Sequence, residues 1–161
     1  MKTILITGST DGIGKLTAIK LVQAGYHVIV HGRNKHKLQT TVSELIDVSD
    51  QRNVAGYVAD LSDLKSVEEL GQQINADYSK IDVLINNAGV YHAPTEITDA
   101  GLDIRFVVNY LAPYILTRIL KPALTSHEMG RIINLSLPSF ELRKVLKPVL
   151  SHISGLLNYD T

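Results

Sequence analysis

The sequence predicts an α/β fold with a doubly wound parallel β-sheet, and three observations lead to that prediction. Short apolar runs of strand length alternate with longer stretches of helical periodicity along the chain. A glycine-rich turn joins the first of these runs to the first helical stretch. No low-complexity linker and no shift in composition interrupts the 161 residues, so we expect a single domain over residues 1–161.

Five strands are expected, because five short apolar runs have the length and composition of buried parallel strands. These runs cover residues 4–6, 28–30, 54–58, 83–85 and 131–135. Right-handed crossovers between the strands would place helices on both faces of the sheet. The expected topology is therefore of the Rossmann type, with about five strands in the order 3-2-1-4-5.

Four helices are expected between the strands, over residues 12–24, 35–48, 63–77 and 101–126. The first has apolar residues at helical spacing, beginning with Ile13 and Leu16, and Gly25 is placed to end it. Ser62 is suited to cap the third helix, with Asp63 favourable beside the positive end of its dipole.

The fourth predicted helix contains a proline near its middle. Pro113 lacks a backbone N–H and is expected to kink this helix or split it in two.

Charge and composition exclude several classes of function. Sixteen acidic and sixteen basic residues balance, so no strong field favours nucleic acid or an anionic membrane surface. The chain contains no cysteine, which excludes a disulfide framework, cysteine-ligated zinc and thiol catalysis. No apolar run approaches ~20 residues, and the N-terminal run is too short for a secretory signal. We expect a cytoplasmic protein without nucleic-acid or membrane partners.

The six histidines do not have the spacing of a metal site, because no pair at i,i+4 encloses a carboxylate. His31 and His36 flank the loop after the second strand; a position near the adenosine is one interpretation, and a position at the surface is the one we prefer. The short basic run at residues 35–37 is interpreted as a solvated helix face. No metal is therefore expected.

The turn at residues 7–14 reads Thr-Gly-Ser-Thr-Asp-Gly-Ile-Gly and has the strand–turn–helix context of a dinucleotide site. Gly8 permits a tight turn, and Gly12 lets the backbone approach a pyrophosphate without an intervening Cβ. Gly14 allows helix and strand to pack closely. The helix N-terminus adds free N–H groups and a positive dipole end, which favour a phosphate.

Four stretches in the expected order resemble the short-chain dehydrogenase/reductase family over residues 1–136. They are the glycine turn, Asp60-Leu61 after the third strand, residues 86–89 (Asn-Asn-Ala-Gly) after the fourth, and Val108-Asn109 in the long helix. The resemblance implies NAD(P)-dependent hydride transfer involving a small carbonyl or alcohol substrate. The residues it assigns to cofactor binding are Gly8, Ser9, Thr10, Asp11, Gly12, Ile13, Gly14, Arg33, Asn34, Asp60, Leu61, Asn87, Ala88 and Gly89.

The tip of the second strand indicates which dinucleotide is bound. An acidic residue there pairs with the ribose hydroxyl of NAD, whereas an arginine pairs with the 2′-phosphate of NADP. By resemblance, Gly32 occupies the place of the NAD-selecting acid and Arg33 follows it, which favours NADP. Asp11 stands where many NADP-preferring members have a basic residue, so NAD stays open as the alternative.

The catalytic residues of the family are only partly present. Asn109 matches the helix asparagine of the catalytic tetrad. Leu137 occupies the place of the catalytic serine, and the adjacent Ser136 could substitute only through a bulge or a one-residue slip. The chain contains no Tyr-x-x-x-Lys, the acid–base pair that the family uses. Family resemblance therefore leaves open whether the chain is catalytically active.

Two further questions stay open at the level of sequence. The resemblance ends at residue 136, so residues 137–161 form a divergent tail and the sheet is expected to be truncated at its C-terminal side. The chain is a truncated or frameshifted product, a fragment of a longer protein, or a short natural form. Its function is that of an oxidoreductase, a catalytically inactive nucleotide-binding protein, or a structural fragment.

The long helix bears on the oligomeric state. With Phe106, Tyr110 and Tyr114 it resembles the usual subunit interface of the family, so a homo-oligomer is expected. Packing of these residues within one chain is the equal alternative.

Overall fold

Five parallel strands form one sheet in the order β3-β2-β1-β4-β5, which confirms the predicted topology. The structure is a computed structural model that describes residues 1–49, 53–126 and 130–135. Ser136, Leu137 and the predicted tail lie outside the described residues. The strands are β1 Thr3–Ile6, β2 His27–Gly32, β3 Val54–Val58, β4 Val83–Asn86 and β5 Arg131–Asn134.

Helices connect consecutive strands. They are α1 Gly12–Gln23, α2 Lys35–Asp47, α3 Leu64–Asp77, α4 Ile104–Phe106 and α5 Ala112–Thr125, with a π-helical segment at Val107–Leu111 between the last two. Across the described ranges, no helix has the length and apolar character needed to cross a membrane.

Apolar side chains pack on both faces of the sheet. Along β1, Ile4 and Ile6 face α1 and α2, whereas Leu5 faces α3 and α5. This alternation follows from the two-residue period of a strand. Because both faces are covered, the central strands are apolar at consecutive positions, and this is the signal from which the sequence predicts them.

The buried face of α1 differs from the prediction. Ile13 and Leu16 are 65% and 61% exposed, whereas Gly14, Ala18 and Val22 are buried against the sheet. A Cβ on Gly14 would collide with the carbonyl oxygen of Gly8 and the side chain of Asn87. Close packing of α1 on the sheet therefore selects small residues, and hydrophobicity alone was misleading at Ile13 and Leu16, whereas Val22 is buried as its spacing indicated.

The ends of α1 and α3 are set by local hydrogen bonds. Gly25 has φ +81° and ends α1 as expected, with the N–H of Tyr26 donating to the carbonyl of Leu21. The predicted cap of α3 is wrong by one residue. Asp63, not Ser62, is the N-cap and accepts from the Lys65 N–H, because Ser62 instead donates to Asp60.

The predicted interruption of the long helix is present, but it takes the form of a π-helical segment that precedes Pro113. The Ala112 N–H donates to the carbonyl of Val107, five residues back. Pro113 then lies in the first turn of α5, where a missing N–H costs little. The helical region also begins later than predicted, at Ile104, because Asp103 caps it.

Candidate functional site

The glycine turn between β1 and α1 requires glycine for three different reasons. Gly8 has φ +63°, and a Cβ there would lie 2.8 Å from the Cα of Ala88. Gly12 has φ +51°, but a Cβ there would meet nothing within 4 Å. Gly14 has no room for a Cβ, as described above. The turn is therefore tightly packed at Gly8 and Gly14, whereas the space beside Gly12 is open.

Residues at the end of β4 form hydrogen bonds with the glycine turn. The Asn87 side-chain amide donates to the carbonyls of Thr7 and Gly8, both at 2.9 Å. In the opposite direction, the Thr7 hydroxyl oxygen accepts from the N–H groups of Asn87 and Ala88, both at 3.1 Å. These reciprocal bonds join the predicted residues Gly8, Asn87 and Ala88 into one rigid unit.

His31 on β2 also forms hydrogen bonds with the glycine turn. Its Nδ1 accepts from the Gly8 N–H at 3.1 Å, which requires the proton to be on Nε2, where it is donated to the carbonyl of Ala59 at 3.1 Å. The backbone of His31 also binds the buried Ser9 hydroxyl. Burial lowers the pKa of His31 to about 4, so the ring is neutral. The interpretation of His31 as a surface residue is wrong.

Asp11 lies at the start of α1 and forms two polar contacts. Its carboxylate accepts from the Gly12 N–H at 2.8 Å, which makes it the N-cap. The Lys37 ammonium, on the first turn of α2, binds the other carboxylate oxygen at 2.5 Å. The hydrogen bond from Lys37 and the one from Gly12 lower the pKa of Asp11. Lys37, interpreted from the sequence as part of a solvated face, thus contacts the glycine turn.

The loop between β2 and α2 brings Arg33 and Asn34 to the same edge of the sheet. Asn34 is the N-cap of α2 and accepts from the Lys37 N–H at 2.9 Å. The Arg33 side chain has no acidic partner within the ranges that the structure describes. A Cβ on Gly32 would lie 2.5 Å from the Cγ2 of Thr10, so the Thr10 methyl fills the space that an acidic side chain would need.

Asp60 and Leu61 follow β3, and their side chains lie in different environments. The Asp60 carboxylate accepts from the N–H and the hydroxyl of Ser62 at 2.9 and 2.7 Å and is exposed. Leu61 is buried in the core cluster on the α3 and α5 face. Their backbone thus borders the site, with one side chain at the surface and the other in the core.

Asn109 lies in the π-helical segment and faces the loop after β4. Its side-chain oxygen accepts from the Val90 N–H at 2.7 Å, and its amide donates to the Val90 carbonyl at 2.9 Å. The Asn109 backbone carbonyl lacks the usual α-helical donor four residues on, because that residue is Pro113. The side chain therefore positions the loop that contains Gly89.

Asn86 joins β4 to the neighbouring strand. Its side-chain amide donates to the Asn134 side chain at 2.8 Å across the β4–β5 pair.

Among the described residues, no group of three or more His, Asp or Glu side chains is arranged to bind a metal ion.

Two residues of this site were not assigned to it from the sequence. They are His31 and Lys37; Thr10 was assigned to the site, but its contact with position 32 was not predicted. His31 follows the consecutive apolar residues 28–30 in β2, which is a signal that it is buried, but only the tertiary structure shows its hydrogen bond with Gly8. The contact between Lys37 and Asp11 spans 26 residues and leaves no local pattern.

Comparison with known proteins identifies relatives of the chain. The family described as short chain dehydrogenase matches residues 2–139. Retinol dehydrogenase 13 of Homo sapiens is 33% identical over 159 residues, which cover 99% of this chain and 44% of that protein. Retinol dehydrogenase 12 of Mus musculus is 36% identical over 135 residues, covering 84% of this chain and 43% of that protein. The chain thus spans less than half the length of these relatives.

Solved structures of similar fold include two enzymes. A bulky-bulky ketone specific alcohol dehydrogenase from Comamonas testosteroni matches with a TM-score of 0.76 and 25% identity, over 97% of this chain and 66% of that one. A metagenomic short-chain oxidoreductase in complex with NADP matches with a TM-score of 0.72 and 26% identity, over 96% of this chain and 76% of that one.

Proposed function

The chain belongs to the short-chain dehydrogenase family, and from that premise we propose that it binds a nicotinamide dinucleotide at the glycine turn. We propose further that it is the cofactor-binding part of an oxidoreductase that acts on a carbonyl or an alcohol. Its similarity to the retinol dehydrogenases and to the ketone-specific alcohol dehydrogenase supports that substrate class.

The observation that carries this proposal is the geometry of the glycine turn. The backbone at Gly12 is open, at the N-terminal end of α1, where the helix dipole favours a pyrophosphate. Ile13 beside it is 65% exposed, an apolar surface that a bound dinucleotide would cover. The bonds from Asn87 and His31 hold the turn in this shape before any ligand arrives, which lowers the cost of binding.

NADP is the proposed dinucleotide. Arg33 has a planar guanidinium that suits a phosphate, and no carboxylate of the described residues engages it. Residue 32 is a glycine, so the acidic side chain that selects NAD is absent there. Thr10 occupies the space that such a side chain would take. The similar short-chain oxidoreductase that was solved with NADP supports the same choice.

The proposed chemistry is hydride transfer, which the nicotinamide supplies when bound. From this chain, the Asn109 side chain would order the loop after β4 through its two bonds to the Val90 backbone. The tyrosine and lysine that the family uses for proton transfer are not found at Tyr-x-x-x-Lys spacing in the 161 residues. Leu137 at the place of the family's catalytic serine favours a second candidate function, nucleotide binding without turnover.

Binding is tested by calorimetric titration of the chain with NADP and NAD. We expect NADP to bind more tightly, and a concentration of 100 times its Kd to raise the stability by roughly 2.7 kcal/mol. Gly12→Asp places a charged side chain in the open space and should abolish binding. Gly101→Asp is the matched control, because Gly101 also has a positive φ and open space but lies in another loop. The proposal fails if the chain binds neither dinucleotide.

Turnover separates the two candidate functions. Oxidation of NADPH is followed by its absorbance with a panel of ketones and aldehydes, including retinal-like and bulky ketones. Activity that Gly12→Asp removes and Gly101→Asp retains supports the oxidoreductase. Binding without any activity above the Gly12→Asp background supports the inactive nucleotide-binding protein.

A further inference from the structure

We propose that Lys37 is a specificity-determining residue of the cofactor site, which binds the 2′-phosphate of NADP while it neutralises Asp11. This inference rests on the proposed function and deepens it. It also accounts for Asp11, the one residue of the glycine turn whose charge is unfavourable for NADP.

The backbone at both ends of the Lys37–Asp11 contact is fixed. Asp11 is the N-cap of α1, and its carbonyl also accepts from the Lys15 N–H at 3.1 Å. Lys37 lies in the first turn of α2, where its own N–H is bound by Asn34. The two helices begin on neighbouring strands, β1 and β2, so this contact crosses the gap between the glycine turn and the β2–α2 loop.

That gap is where the discriminating part of a dinucleotide lies. In Rossmann-type sites the pyrophosphate binds at the glycine turn, and the adenosine ribose is recognised at the tip of the second strand. The Lys37 side chain spans these two places, since it starts in the helix that follows Arg33 and ends at Asp11. Its ammonium therefore lies beside the path from the pyrophosphate to the ribose.

The charges explain why Lys37 matters for NADP in particular. Without a partner, the Asp11 carboxylate would repel a phosphate dianion at this site. Lys37 removes that repulsion and has three N–H donors, so it can bind a carboxylate and a phosphate together. The Lys37 and Asp11 side chains are 50% and 79% exposed, so the ammonium is accessible to a ligand from solvent. Lys37 thus supplies from α2 the positive charge that position 11 lacks.

A double-mutant cycle in the full chain tests the inference, with Kd values for NADP and NAD measured by calorimetry at low salt. We expect Lys37→Gln to raise the Kd for NADP about tenfold, the loss of one charge-assisted hydrogen bond, and to change the Kd for NAD less than twofold. Asp11→Asn should lower the Kd for NADP. In the Asp11→Asn background, Lys37→Gln should still weaken NADP.

The last arm of the cycle separates a phosphate ligand from a residue that only neutralises Asp11. If Lys37→Gln has no effect once Asp11 is Asn, or if it weakens NADP and NAD equally, the inference is overturned. Lys121→Gln, the same loss of charge in α5, controls for net charge and should leave both Kd values unchanged. Absence of binding of either dinucleotide to the unmutated chain overturns the proposed function, whereas unchanged discrimination with intact binding overturns only this inference.

Discussion

The glycine turn and strand β5 differ in what holds them. The turn receives side-chain bonds from both neighbouring strands, through His31 on β2 and Asn87 after β4. β5 pairs only with β4, and all four of its residues are exposed among the described residues. Among the described residues, side chains from two strands therefore hold the glycine turn, whereas β5 is held by backbone pairing with β4 and by the Asn86–Asn134 side-chain bond.

The largest expected contrast compares two isoleucines at the two places. Ile6 ends β1 just before the turn and is fully buried, whereas Ile133 in β5 is 46% exposed. We expect Ile6→Ala to lower the free energy of unfolding by about 4 kcal/mol, because it leaves a cavity, and Ile133→Ala by about 1 kcal/mol. Urea denaturation measures both. Equal losses would show that β5 is packed as firmly as β1.

The second prediction concerns the packing beneath the turn. Gly8→Ala adds a Cβ 2.8 Å from the Cα of Ala88 and forces a side chain into positive φ, so we expect a loss of about 3 kcal/mol. Gly12→Ala has the same backbone strain but open space, and we expect a loss of about 1 kcal/mol. A difference near zero between these two variants would contradict the rigid turn.

The third prediction follows from the lowered pKa of His31. In the unfolded chain the imidazole titrates near 6.5, whereas in the folded chain its pKa is about 4. The folded state thus binds fewer protons between these values, and stability falls as the pH drops, by roughly 2 kcal/mol from pH 6.5 to 5. His31→Gln should reduce this slope. An unchanged slope would mean that other groups cause it.

The smallest expected effect is at Asn109. Asn109→Ala removes both bonds to the Val90 backbone, and we expect a loss of about 1.5 kcal/mol with faster hydrogen exchange at the Val90 amide. Asn75→Ala is the control, since it removes a bond to the Ile119 carbonyl on another part of the fold. Val90 should exchange at its normal rate in that variant.

Most of the fold could be predicted because its signals are local. Consecutive apolar residues indicated strands buried on both faces, and Gly25 indicated the end of α1. The sequence was misleading where packing overrides hydrophobicity, as at Ile13 and Leu16, which are exposed because α1 approaches the sheet through small residues. It was also misleading where two neighbouring side chains compete for one cap, as at Ser62 and Asp63.

The sequence by itself determined the glycine turn, its place between β1 and α1, and the motifs that assign the chain to its family. A turn of this kind depends on backbone conformation, which residue type restricts directly. Only the tertiary structure decided that His31 is buried and neutral, that Lys37 neutralises Asp11, and that Asn109 binds Val90. Each of these contacts joins residues that are 19 or more positions apart in the chain, and their partners are brought together only when the sheet has formed.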